Sequence, residues 1–328
     1  MAHSTVPVIT KESETERHRE LMDVPKRSVA LNLLVSLRPA QWTKNLIVFA
    51  GLLFGQRGGA PAFLDLQAIA HALGAFFIFC GLSGVVYLIN DVADRDADRL
   101  HPLKQHRPIA SGSVPPGLAL GTAVILAAAA LLGAWMLRPM FALVAVVYVA
   151  LLALYSGPLK HVVIIDVLTI AIGFVLRAVA GAVAIDVRID HWLLILTILL
   201  ALFLALSKRR HELVLLADGA TSHRPILEEY SPYLLDQMIA VVTASTLVSY
   251  AISTVSAETV QKYHTDYLGL TLVFPLYGIF RYLYLVHRKE GGGSPADMLL
   301  NDRPLLACVA LWAVAVAAII YGTSLIHG

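Results

Sequence analysis

Cysteine is scarce in this 328-residue chain: Cys80 and Cys308 are the only two, each inside an apolar run. That excludes a disulfide framework and a thiolate metal centre, and leaves two small core residues. Charge is scarce as well. Only 15% of residues are Asp, Glu, Lys or Arg, against 58% hydrophobic, an apolar share above that of a soluble domain. Short alternating strands are missing, which excludes a membrane β-barrel. No strand precedes Gly291-Gly292-Gly293-Ser294, so that run reads as a flexible link and not a nucleotide-binding turn. The first thirty residues lack the apolar core of a signal peptide and read as a polar cytoplasmic tail. The net charge of +2 says little by itself, and nucleic acid is not an expected partner.

What is present is a series of spanning-length apolar runs. Nine can be placed, roughly at 42–58, 67–90, 114–136, 139–156, 163–185, 191–208, 233–255, 267–287 and 304–325. The expected fold is therefore all-α, a polytopic bundle of nine transmembrane helices over residues 31–328. Gly and Gln interrupt the first run, which is the weakest. Of the 25 lysines and arginines, Arg57, Arg138, Arg188 and Lys262 fall on one side and Arg177 and Arg281 inside spans; the other nineteen fall on the opposite side. The positive-inside bias puts that second side in the cytoplasm. It predicts a cytoplasmic (inner) membrane protein with its N-terminus inside and its C-terminus outside. The polar motifs then share the cytoplasmic face, as a water-soluble phosphorylated substrate requires.

The densest of these motifs is Asn90-Asp91-Val92-Ala93-Asp94-Arg95-Asp96-Ala97-Asp98, at the end of the second run. At about 100° per residue, Asp91, Asp94 and Asp98 fall within roughly 60° of one another on a helix, with Tyr87 one turn earlier and Asp96 opposite. A solvated loop whose acids balance Arg95, Arg99 and Lys104 does not need that stripe. Acids so close together repel unless a cation sits among them. Asn90, Asp91, Asp94 and Asp98 are thus candidate Mg²⁺ ligands holding a diphosphate at the membrane surface, and Asp96 is not.

Other motifs carry two readings each. In Arg38-Pro39-Ala40-Gln41-Trp42-Thr43-Lys44-Asn45, Pro39 suits a first helical turn and Trp42 an interfacial anchor. Alternatively Arg38, Gln41, Lys44 and Asn45 are donors toward an anion. Pro102 and Pro108 end any helix after the acids, leaving Lys104 and Arg107 as phosphate partners or as ordinary loop residues. Tyr155-Ser156-Gly157-Pro158-Leu159-Lys160 is a turn, followed by Asp166. Asp166, Ile170, Gly173 and Arg177 trace one stripe. Arg177 is an intramembrane cation that either lines a cavity or caps the carbonyls of a broken helix. Ser207-Lys208-Arg209-Arg210-His211-Glu212 is a topology signal or a second anion pocket, with Glu212 one turn beyond Lys208 to orient it. The segments Arg224–Tyr230 and Pro295–Arg303 are polar loops with no role assigned.

Nine helices with an Asn-Asp-x-x-Asp-x-x-x-Asp segment after the second resemble the UbiA superfamily of intramembrane prenyltransferases. Five further features narrow the resemblance to the decaprenyl-phosphate phosphoribosyltransferases, across residues 31–325. They are the Arg-Pro-x-Gln-Trp-x-Lys-Asn opening, the acids running into His-Pro-x-Lys and Arg-Pro-Ile-Ala, the Gly-x-Leu-Lys-His turn, the Leu-Arg-Ala-x-Ala-Gly stretch and the Lys-Arg-x-x-Glu-Leu end. The turn departs from the pattern at Pro158, where a flexible residue is expected. Where UbiA enzymes with aromatic acceptors carry a second acidic cluster, this chain has Lys208, Arg209 and Arg210, the partners of an additional phosphate. The resemblance implies Mg²⁺-dependent transfer of 5-phosphoribose from phosphoribosyl diphosphate to a polyprenyl phosphate. Lys160 and Lys44 would then hold phosphates, Tyr155 and Asp166 would orient the sugar or metal shell, and Lys208 and Arg209 would take the 5-phosphate. The rival readings are a UbiA-type enzyme joining a prenyl diphosphate to an aromatic acceptor and, more remotely, a transporter. A transporter needs polar groups along a through-path.

Overall fold

The computed structural model describes residues 28–101, 104–217, 225–288, 298–299 and 301–326. The polar tail up to residue 27, Pro102, Arg224, Gly291–Ser294 and Pro295–Asp297 lie outside them. Eight helices among the described residues are long and apolar enough to cross a membrane. A short helix, α1 (Val29–Ser36), is capped by the Ser28 hydroxyl and starts inside the stretch expected to be tail. Next comes a 3₁₀ helix, Pro39–Phe49, then α2 (Ala50–Phe54). A two-residue hairpin follows, β1 (Gln56–Arg57) against β2 (Ala60–Pro61). Gly58 and Gly59, both at positive φ, make its turn.

The long helices are α3 (Leu66–Ala93), α5 (Pro116–Leu137), α6 (Pro139–Ser156), α7 (Ile165–Ile185), α8 (His191–Ala217), α9 (Pro232–Val255), α11 (Val273–Arg288) and α12 (Arg303–Ile326). Two short helices, α4 (Arg95–Leu100) and α10 (Ala257–Tyr263), extend α3 and α9. Two apolar runs depart from expectation, since neither is a continuous α-helix: the eighth opens as 3₁₀ over Tyr267–Leu272 before α11, and the first is mostly 3₁₀. Pro39 has no N–H to donate, and the i→i+3 pattern opens with Gln41 N–H donating to the Arg38 carbonyl at 2.8 Å.

Small residues set the packing. Buried Ala68, Ala72 and Ala75 on α3 and Ala171, Ala178, Gly181 and Ala182 on α7 let backbones approach closely. A Cβ on Gly181 would stand 1.9 Å from the Val48 carbonyl oxygen, so the 3₁₀ helix lies directly on α7. The central helix α7 also contacts α3, α6 and α8; α8 packs on α9, and α11 on α12. Large apolar side chains on the outer helices, such as Val124, Ile125, Trp135 and Met136 on α5, are exposed, as lipid-facing residues are.

Ion pairs collect at the two ends of this bundle. One end holds Arg38–Asp91, Arg107–Asp98, Arg209–Asp166, Arg210–Asp236 and Arg281–Asp302. The other holds Arg57–Asp65, Arg138–Asp186 and Lys262–Asp190.

Candidate active site

Helix α3 ends at Ala93, yet its hydrogen bonding carries across Asp94: Asp94 N–H donates to Asn90 O and Asp98 N–H to Asp94 O, both at 2.8 Å. The acids therefore keep near-helical spacing. Asp91 and Asp98 are buried, and a single nitrogen of Arg107 stands 3.1 Å from Asp91 Oδ1 and 2.6 Å from Asp98 Oδ2. Arg38 donates to the same Asp91 oxygen while its guanidinium lies 4.7 Å over the half-buried Tyr87 ring. Lys104 stands 3.9 Å from the other Asp98 oxygen. Asp94 is exposed at the break and Asn90 is half-buried. The Asp96 side chain is 92% exposed, with Arg99 3.8 Å away.

A second network closes the turn between α6 and α7. Asp166 is fully buried at the start of α7; its Oδ2 accepts from Arg209 Nε at 3.0 Å and its Oδ1 from the Tyr230 hydroxyl at 2.8 Å. Arg209 also donates to Glu212 Oε2 and, at 3.4 Å, to the Tyr155 hydroxyl. Glu212 in turn lies 3.8 Å from Lys208, whose side chain is 46% exposed. Burial and then the Asp166 carboxylate push the Tyr230 phenol up to about 12, against the Ile164 N–H, so it stays protonated and donates. Lys160, on the 3₁₀ turn Leu159–His161, is half-buried. Pro158 takes an ordinary right-handed conformation before that turn, so no glycine is needed there.

The 3₁₀ helix joins the two networks. At three residues per turn, Gln41, Lys44 and Ile47 share one edge, continuing from Arg38. Trp42, Asn45 and Val48 share the next, where Asn45 and Val48 are buried. Lys44 lies within electrostatic reach of Lys208, Arg177 and Arg38. Cations from α7 and α8 thus act on Lys44 together with Arg38, and Arg38 reaches Asp91 on α3. Among the described residues, no three His, Cys, Asp or Glu side chains already form a metal-holding cluster. The recess lined by Arg138, Asp186 and Val187 lies at the other end of the bundle.

A model of the UbiA prenyltransferase family matches residues 45–301. The chain belongs to that family. The decaprenyl-phosphate phosphoribosyltransferase of Mycobacterium tuberculosis is 32% identical over 306 residues, covering 92% of this chain and 99% of its own. That of Corynebacterium glutamicum is 33% identical over 304 residues, covering 90% and 89%. A UbiA homolog from Archaeoglobus fulgidus, solved with GPP and Mg²⁺, has the same fold, with a TM-score of 0.66 at 21% identity over 88% of this chain and 99% of that one. The protein is a multi-pass membrane transferase of the UbiA family.

Several candidate residues of this UbiA-family site are engaged by other side chains of the protein. Asp166 is tied inside the protein: its two oxygens accept from Arg209 and Tyr230. Arg209 is itself buried with three nitrogens committed, whereas the neighbouring Lys208 side chain is 46% exposed, with Glu212 3.8 Å away. Asn45 is buried between α3 and α7. Its carbonyl accepts from Arg177 Nε at 2.8 Å, and its amide faces Cys80 and Ser83. Arg177 is buried near the middle of α7, which is continuous and not a broken helix. It donates to Asn45, to Gly173 O at 3.0 Å and to the Tyr148 hydroxyl at 2.6 Å. Sequence reasoning missed Tyr148 and Tyr230. No local signal marks either, because each meets its partner from another part of the chain.

Proposed function

We propose that this transferase moves 5-phosphoribose from phosphoribosyl diphosphate to a polyprenyl phosphate, releasing diphosphate, at the cytoplasmic face of the inner membrane. The N-terminus is inside and the C-terminus outside. The observation that carries this reading is the position of Lys208, an exposed ammonium within electrostatic reach of Lys44, which lies on the same 3₁₀ segment as Arg38, the partner of Asp91 on α3. An acidic patch next to a cationic one suits a donor that carries a diphosphate and a separate phosphate. A prenyl diphosphate has no second anionic group for Lys208 to meet.

The acids fit a divalent ion by their chemistry. Asp91, Asp94, Asp98 and Asn90 offer only oxygen toward a metal, as Mg²⁺ prefers, and Asp91 and Asp98 already share one cationic nitrogen. These four residues would hold the ion, which would neutralise charge on the leaving diphosphate. Arg107 and Lys104 face the same carboxylates and supply charge-assisted donors for phosphate oxygens. Lys44 and Lys208 take the 5-phosphate, and Lys160 the lipid phosphate.

In the transfer, the bond from ribose C1 to the diphosphate oxygen breaks and its electron pair leaves with diphosphate. A lipid phosphate oxygen forms the new bond to C1, where positive charge develops as in other glycosyl transfers. That oxygen is already anionic at neutral pH, so the protein needs to align it and does not need a strong base. The lipid tail leaves sideways between apolar helices, because each methylene drawn into water costs about 0.8 kcal/mol.

The test is to incubate purified protein with Mg²⁺, ribose-labelled phosphoribosyl diphosphate and decaprenyl phosphate, and to extract with organic solvent. Label in the organic phase is the expected result. Its absence, with transfer instead from labelled geranyl diphosphate to an aromatic acid, overturns the reading in favour of a prenyltransferase.

A further inference from the structure

Ile164 adopts φ 69 and ψ −44 immediately before α7. A β-branched residue at positive φ is strained, and such strain persists only where surrounding contacts enforce it. Here the enforcing contact is identifiable. The Ile164 N–H donates to the Tyr230 hydroxyl at 2.7 Å, and that hydroxyl donates onward to Asp166 Oδ1 at 2.8 Å. Tyr230 is buried, 64 residues further along the chain, in the segment that leads into α9. One hydroxyl therefore fixes both the backbone entering α7 and the carboxylate two residues later. Asp166 fixes Arg209, Arg209 fixes Glu212, and Glu212 faces Lys208.

From this relay we infer that Tyr230 is a positioning residue for the phosphate-binding cation Lys208, and so sets affinity for the phosphorylated donor without touching it. The inference rests on the proposed reaction and refines it. A role in folding alone would lower the amount of active protein, and with it the apparent kcat, at unchanged KM. A positioning role acts on one substrate and through one residue.

The experiment compares wild type, Tyr230→Phe, Lys208→Ala and the double variant in the transfer assay, with melting in detergent as a check on folding. Tyr230→Phe should raise KM for phosphoribosyl diphosphate roughly five- to tenfold, about what one buried hydrogen bond is worth. KM for the lipid phosphate should stay within about twofold. The double variant should be no worse than Lys208→Ala alone, since contributions acting through one group do not add. Independent, multiplying effects would overturn the inference, as would a Tyr230→Phe enzyme whose kcat falls at unchanged KM. If Tyr230→Phe does not fold, the same cycle is run on an Ile164→Gly background, where glycine accepts the positive φ without strain. Failure of the proposed reaction is separately visible, because wild-type protein would then transfer no ribose label. In that case the four proteins are compared by binding of inorganic phosphate, the probe of the Lys208 pocket, with the same pattern expected.

Discussion

Arg177 Nε donates to the Asn45 carbonyl oxygen at 2.8 Å, tying the centre of α7 to the 3₁₀ helix that precedes the hairpin. The guanidinium also satisfies Gly173 O and the Tyr148 hydroxyl, and it stacks near the Tyr148 and Phe174 rings. Lysine keeps the charge and lacks the planar fork. Arg177→Lys should therefore destabilise the protein by about 2–3 kcal/mol, because buried acceptors lose their donors. Thermal unfolding in detergent checks this; a variant as stable as wild type would show that the fork is dispensable.

The acids of α3 should separate by orientation. Asp91→Ala and Asp98→Ala should each lower phosphoribosyl transfer at least a hundredfold, the loss expected for groups that hold the centre of charge neutralisation. Asp96→Ala, whose side chain faces solvent, should stay within about twofold of wild type. Equal losses at Asp96 and Asp98 would refute this assignment.

Removal of divalent metal should abolish turnover. Dialysis against EDTA followed by Mg²⁺ addition should restore it in wild type, while Asp91→Asn should need far more Mg²⁺ for half-maximal rate. Full activity in EDTA would contradict the proposed role of these oxygen donors.

Gly181→Ala should be poorly tolerated although it adds one methyl group. The new Cβ would stand 1.9 Å from the Val48 carbonyl oxygen, a backbone atom that cannot swing aside. A loss near the upper end of the 1–3 kcal/mol typical of overpacking is expected, read as a lower melting temperature and reduced yield. The same change at Gly121, where nothing lies nearby, should be silent.

The end of the bundle opposite the acids carries a pH-dependent tie. Burial alone would raise the Asp190 carboxyl, but the Lys262 ammonium at 2.9 Å and the Leu193 and Trp192 N–H groups outweigh it and hold it below its usual value. The contribution of Asp190 is thus complete above about pH 3.9, the unfolded value, and is lost as pH falls through the lower folded one. For Lys262, burial opposes the charge, yet Tyr263 and Asp190 raise its value overall. Its contribution is complete below about pH 10.4 and is lost as pH rises through the folded value. Melting temperature should therefore be insensitive to this pair between about pH 5 and 9. Asp190→Asn should lower that plateau and flatten the acid limb; an unchanged acid limb would exclude the pair as its cause.

The long helices were legible because hydropathy reports them directly. The run at 139–156 coincides with α6, and those at 114–136 and 304–325 differ from α5 and α12 by one or two residues at each end. Two things were not legible. Hydropathy cannot tell 3₁₀ from α winding, so Pro39–Phe49 read as part of an ordinary span. It also placed the end of the sixth span at Lys208, whereas α8 runs on to Ala217, because a helix can continue past the membrane on the strength of pairs such as Arg209–Glu212. At the site, the acid stripe was visible as a local spacing. The bonds of Asp166 to Tyr230 and of Asn45 to Arg177 were not, since they join residues 64 and 132 positions apart. Periodicity says which side of a helix a residue occupies and nothing about which distant side chain consumes its donors.

The winding of the segment from Pro39 to Phe54 also bears on reach. Sixteen residues coiled wholly as α-helix would extend about 24 Å, short of a hydrocarbon layer about 30 Å thick. A 3₁₀ helix rises about 2.0 Å per residue, so with eleven residues wound that way and five as α-helix the same stretch extends roughly 30 Å. Tighter winding thus gives this piece of chain enough length for a ninth crossing, with no added residues.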